Sequence, residues 1–147
     1  MTGTKLDVVY DAFLAKIEGD EWMETEYLDI ARRDWRMLLS AAAFHFRYPR
    51  VSLKFENENF EEILGNDEIQ ILSSLMRKEW LDRTLATWDN IRMLYSDKDF
   101  SQANFLDKLT KNASQAKEDC ESMLDDYDRS VDYKPNKIFS SLAGKRK

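Results

Sequence analysis

Leu6, Val9, Tyr10, Phe13, Leu14 and Ile17 fall at i, i+3, i+4, i+7, i+8 and i+11, the spacing of one face of an amphipathic helix. Thr4 is placed to cap its start and Gly19 to end it. A second helix is predicted from about Thr25, with Leu28, Ala31, Trp35, Leu38, Leu39, Ala42 and Phe46 on its apolar face. It must stop before Pro49, because the residue preceding a proline is steered out of the α region. The period then changes. Val51, Leu53 and Phe55 alternate with Ser52, Lys54 and Glu56, which predicts a short, half-exposed strand. The stretch FENENFEEIL that follows fits a hairpin, a long loop or a loop with a helical turn. With no second strand evident, a neighbouring chain's edge is one way to satisfy it.

A third, long helix is predicted from an Asn66 or Asp67 cap to about Tyr95. Its apolar residues Ile69, Leu72, Leu75, Met76, Trp80, Leu81, Leu85, Trp88, Ile91 and Leu94 are too many for one narrow stripe, so it is the expected central helix, touched on two sides. From Ser101 to Arg129, Leu106, Leu109, Ala113, Ala116, Cys120, Met123 and Tyr127 step alternately by three and four. That helix would span roughly 43 Å. Its far end is acidic, with Glu118, Asp119, Glu121, Asp125, Asp126 and Asp128. Three heptads are few for a coiled coil, so the expected use is lengthwise packing on the 67–95 helix. The fold class is therefore mainly α: a four-helix, bundle-like subunit over residues 1–129, with a strand or hairpin insertion at about 48–66. Residues 130–147 have no helical stripe and carry Pro135 in their middle. They retain Tyr133, Ile138, Phe139 and Leu142, more aromatic and branched side chains than a merely disordered tail holds. The segment is expected to be an arm that orders on a partner.

Length and composition fit this picture. A chain of 147 residues makes one domain and buries roughly two-thirds of its unfolded surface without a metal or a disulfide. Four glycines and two prolines beside 34% charged residues favour helix over a sandwich or barrel. The single cysteine, Cys120, forms no internal bridge, which suits a reducing compartment, and its place on an apolar stripe makes it an inert thiol. No segment approaches the roughly 18 apolar residues of a membrane span, and no signal-peptide pattern opens the chain. The net charge of −6 is uneven: five cations against Asp132 give residues 130–147 a net +4, leaving −10 on the first 129. An acidic body is a poor duplex binder, since affinity for DNA comes from neutralising phosphates.

Candidate chemistry is sparse. Asp97, Asp99 and Ser101 are spaced like the first ligands of a calcium loop, yet Gln102 stands where the glycine is needed and Lys108 where the bidentate glutamate belongs. Asp99 with Gln102, or Ser101 alone, reads instead as the cap of a helix–helix corner. With His45 as the only histidine, the two-histidine zinc motifs and the paired motif of di-iron bundles cannot be built. A Cys120–His45 pair has nothing in the sequence to bring it together. No phosphate loop occurs, pairs such as Glu61 and Glu62 read as a solvated face, and Trp22, Trp35, Trp80 and Trp88 read as core. The expectation is no catalytic residue, no metal and no cofactor. The informative motif is RYPR, residues 47–50. Its cations suit a solvated helix C-terminus, and its tyrosine and arginines suit an interface anchor.

The stretch LMRKEWLDRTLATWDNIRMLYSDKDFSQANFLDKL, residues 75–109, resembles the head–tail connector (adaptor, or neck) proteins of tailed bacteriophages, particularly those of Gram-positive hosts. FRYPR, residues 46–50, and YDAFLAKI, residues 10–17, fit the same family. The resemblance covers roughly residues 8–129 and carries no catalytic signature. It implies a helical subunit with a small β element, assembled in a ring, typically a dodecamer, below the portal at the capsid vertex. Such a ring extends the DNA channel and presents a surface to the next neck or tail-completion protein. The expected partners are thus other copies of the chain, the portal and that neck protein, with DNA passing unbound and no membrane involved. The expected location is the virion's head–tail junction, after synthesis in the host cytoplasm. Expected inter-subunit contacts are Arg47, Tyr48, Arg50, Val51, Leu53 and Phe55; expected portal-binding residues of the arm are Tyr133, Lys134, Lys137, Ile138, Phe139 and Leu142. A small intracellular helical adaptor or regulator binding one protein is the competing class, and an enzyme with an unfamiliar site is a third.

Overall fold

The computed structural model describes residues 3–17, 28–94 and 100–133, with side chains at 3–17, 30–87 and 106–130. The chain is mainly helical, in the order α1 (Leu6–Lys16), α2 (Leu28–His45), β1 (Phe55–Glu56), β2 (Asn59–Phe60), α3 (Asn66–Leu94) and α4 (Phe100–Tyr133). As the breadth of its apolar surface predicts, α3 is central and packs against α1, α2 and α4. Leu6, Val9, Tyr10 and Phe13 of α1 and Ala31, Trp35, Leu38, Leu39 and Ala42 of α2 enter one core with Leu72, Leu75 and Met76 of α3. A second cluster, Leu81 with Leu109, Ala113 and Ala116, is the seam between α3 and α4. Trp80 packs against both clusters and joins them.

The α4 stripe is largely as its spacing predicts, except that Leu124 is buried and Met123 only half-buried. The helix runs to Tyr133, past the predicted end at Arg129. The start of the arm at residue 130 is corrected accordingly: Ser130 lies within the helix and its hydroxyl donates to the carbonyl of Tyr127 at 3.0 Å.

Two predicted caps are also corrected. The residue at the start of α1 is Lys5, with no side-chain cap. Thr4 Oγ1 instead accepts the Leu64 amide at 2.8 Å, tying the N-terminal segment to the entry of α3. At α3 the capping position is Gly65, whose amide donates to Glu68 Oε1 at 2.8 Å, the reciprocal half of a capping box.

Of the three readings open for FENENFEEIL, the structure shows the hairpin, so the strand finds its partner within its own chain. β1 and β2 form an antiparallel hairpin with Phe55 opposite Phe60 and Glu56 opposite Asn59. Asn57 turns the chain at φ 57°, a left-handed conformation that asparagine tolerates. The other edge of β2 is covered by the N-terminal segment: Gly3 N–H donates to Phe60 O at 2.9 Å, Phe60 N–H to Thr4 O at 2.8 Å, and Leu6 N–H to Glu58 O at 2.9 Å. The N-terminal segment, bridged antiparallel at Lys5 and Asn59, thus covers the free edge of the two-stranded hairpin within one chain. The α2 arginines fasten the turn from above. Arg36 donates to Asn57 O at 2.5 Å and lies 4.9 Å over the Phe55 ring, while Arg32 bridges Asp7 at 2.6 Å and Glu58 at 3.4 Å.

Candidate functional site

Between the end of α2 and β1, the RYPR junction lies against the last turns of α4. Phe46 is buried and meets the Tyr127 ring edge-on at 5.0 Å. Arg47 bridges Asp125 at 3.1 Å and Glu121 at 3.7 Å, so part of the acidic end of α4 is neutralised from within the chain. Arg50 sits 4.3 Å over the Tyr127 ring, and its guanidinium also donates to Ser130 Oγ. Its backbone amide donates to the Tyr127 hydroxyl at 2.8 Å. That hydroxyl in turn donates to Glu68 Oε2 at 2.7 Å. A buried carboxylate is costly unless its lone pairs are used; Glu68, 5% exposed, accepts from both Tyr127 and Gly65. Burial, reinforced by the bond to Glu68, pushes the Tyr127 hydroxyl up to about 12, so it stays protonated and remains a donor.

The two arginines are therefore intramolecular clamps, and Tyr48, between them with Pro49, faces outward. Tyr48 is 79% exposed and held at φ 50°. For a bulky side chain that conformation is strained, and it persists only where its surroundings over-determine it. Here Phe46 and Arg50, each anchored to Tyr127, fix the chain on both sides.

The other expected inter-subunit residues are also engaged within their own chain. Leu53 is buried in the core, and Val51 and Phe55 are half-buried against it. Leu53 is thus enclosed by its own chain, whereas Val51 and Phe55 keep part of their surface open, and the hairpin lies on the core because β2 and the N-terminal segment satisfy its backbone. Of the arm, Tyr133 is the last residue of α4, while Lys134, Lys137, Ile138, Phe139 and Leu142 lie outside the described residues, as do Asp97 and Asp99 of the α3–α4 corner.

Among the described residues, His45 and Cys120 are not brought together. His45 Nε2 faces Glu79 Oε1 at 3.3 Å. Cys120 is buried in the core, and burial pushes its thiol up to about 11, the direction opposite to an activated nucleophile. Among the described residues no group of three or more His, Cys, Asp or Glu side chains is placed to hold a metal ion. No helix among them is long and apolar enough to cross a membrane.

What the inward-looking reading of α2 missed is its outer face. Ile30, Met37 and Phe44 are 65%, 69% and 85% exposed. Their seven-residue spacing was the available signal, and it is visible in the sequence once the inward stripe is subtracted. The chain matches no family model, no curated protein and no solved structure in comparisons against each.

Proposed function

We propose that this chain is a structural virion protein, a head–tail connector subunit that assembles into a ring below the portal and extends the DNA channel toward the tail. The observation that supports the reading is a mainly helical body with one small hairpin, the architecture that the likeness of residues 75–109 to connector proteins implies. In this reading the role is mechanical rather than enzymatic, and an acidic body suits a conduit through which DNA must slide. Tyr48, exposed between two clamped arginines, is the inter-subunit contact of the junction that its own chain leaves open. The segment after Tyr133 supplies the portal contact, with Ile138, Phe139 and Leu142 as apolar anchors and Lys134 and Lys137 steering it to an acidic surface. The alternative is a small helical adaptor for one protein partner, which the same exposed side chains would serve.

Co-expression with the portal protein of the same phage genome, followed by light scattering and negative-stain imaging, separates the two. The connector reading expects a ring seated on the portal. It also expects a chain truncated after Tyr133 to keep its thermal midpoint and lose attachment. A chain that stays monomeric or dimeric beside the portal and never co-purifies with it overturns the reading.

A further inference from the structure

The outer face of α2 carries an apolar stripe whose arrangement singles out its occupant. Ile30, Met37 and Phe44 lie two heptads end to end, so a straight helix keeps them on one side with only about 40° of drift. The core-facing residues Ala31, Trp35, Leu38, Leu39 and Ala42 occupy the opposite side. The stripe is symmetric about its middle. A second α2 laid antiparallel, with the twofold axis at Met37, sets Ile30 of each copy against Phe44 of the other and Met37 against itself. An isologous contact requires this self-complementarity.

Charge selects the same direction. Between Ile30 and Met37 the flanks are Arg33 and Asp34; between Met37 and Phe44 they are Ser40 and Ala41. Antiparallel pairing brings the charged flank of one copy to the level of the small, uncharged flank of the other. Parallel pairing would set Arg33 against Arg33, like charges at close range. Asp34 is already held by Arg83 through two contacts, at 2.5 and 2.8 Å, so it brings no free carboxylate to the seam. Ser40 and Ala41 let the helices approach closely. Covering the three side chains on both copies removes on the order of 1,000 Å² from water, the lower bound of a specific interface.

We propose that the outer face of α2 binds a second copy of this chain, antiparallel about a twofold axis at Met37. The contact is independent of the connector reading, because a ring closes through unlike surfaces and this one joins like to like. Its small area fits a concentration-dependent equilibrium rather than an obligate dimer.

The test uses the full chain. Light scattering over a wide concentration range is expected to show a dimer that Met37→Glu and Phe44→Glu each convert to monomer, with helical circular dichroism and thermal midpoint unchanged. Cysteine scanning with a short bismaleimide reads the direction, and buried Cys120 can remain in place. Met37→Cys is expected to cross-link to itself. Ile30→Cys is expected to stay uncross-linked alone and to couple when mixed with Phe44→Cys. A monomer at every concentration, an assembly that keeps its mass in Met37→Glu, or self-coupling of Ile30→Cys each overturns the proposal. Portal capture is scored separately, so loss of the twofold contact and loss of the connector role are distinguishable.

Discussion

Tyr127 donates its hydroxyl to Glu68 across 2.7 Å and 59 residues of sequence, fastening the last turns of α4 to the first turn of α3. The same hydroxyl accepts the Arg50 amide, so one side chain ties together the α2–β1 junction and both long helices. Helix end, capping carboxylate and strained Tyr48 are thus parts of one arrangement.

Removing the hydroxyl while keeping the ring isolates its contribution. Tyr127→Phe retains the Phe46 edge contact and the Arg50 stacking but leaves Glu68 Oε2 and the Arg50 amide unpaired. The expected cost is about 1–3 kcal/mol, read as a lower denaturant midpoint at constant slope. An unchanged midpoint would show that the relay adds nothing to stability.

Alkaline pH should weaken the fold through the same group. Burial raises Tyr127 and Tyr10 from 10 to about 12. A raised folded value means that the folded state favours the protonated phenol. The contribution is complete below pH 10 and is lost as pH rises toward 12. Thermal midpoints, followed together with tyrosinate absorbance, should fall through that window, and Tyr127→Phe should flatten part of the fall. A midpoint indifferent to pH between 10 and 12 in both proteins would refute the assignment.

The α3–α4 seam is tight enough to reject a charge. Ala113 and Ala116 are 6% and 1% exposed and face Leu81 and Leu109. Ala116→Glu should cost several kcal/mol, because an unpaired carboxylate enters an apolar contact; Ala113→Glu, slightly nearer solvent, should cost less. Equal midpoints for parent and Ala116→Glu would mean that the seam opens freely.

Close backbone approach makes Gly3 a specific requirement of the ladder. A Cβ there would lie 2.0 Å from the Glu62 carbonyl oxygen, and backbone cannot swing aside. At Gly65 a Cβ would meet only the tip of the Glu68 side chain, at 2.7 Å. Gly3→Ala is therefore expected to expose the edge of β2 and speed exchange of the Phe60 amide, whereas Gly65→Ala should disturb only the cap. If Phe60 exchanges equally slowly in Gly3→Ala, residues 3–6 do not hold the hairpin.

The sequence by itself determined the helices and their inward faces. Residues such as Val9, Trp35, Leu72 and Ala116 repeat at helical spacing because each helix must bury one side, and that need is written locally. It also marked the strand at Phe55, since alternation is equally local. Only the tertiary structure decided what those elements touch. The sequence allowed a hairpin among other readings, but a β2 of two residues is too short for its pattern to select it, and the Gly3–Leu6 segment, with no strand pattern, is defined only by hydrogen bonds to distant backbone. Thr4 reads as a cap but serves Leu64, because a hydroxyl takes whichever donor the fold brings nearest. Arg47 and Arg50 read equally well as solvated or as interfacial, and which groups of their own chain they meet was decided only when the end of α4 arrived with Asp125, Tyr127 and Ser130. Long-range contacts depend on how whole elements pack, so residue type and spacing fix the faces and leave their partners to the fold.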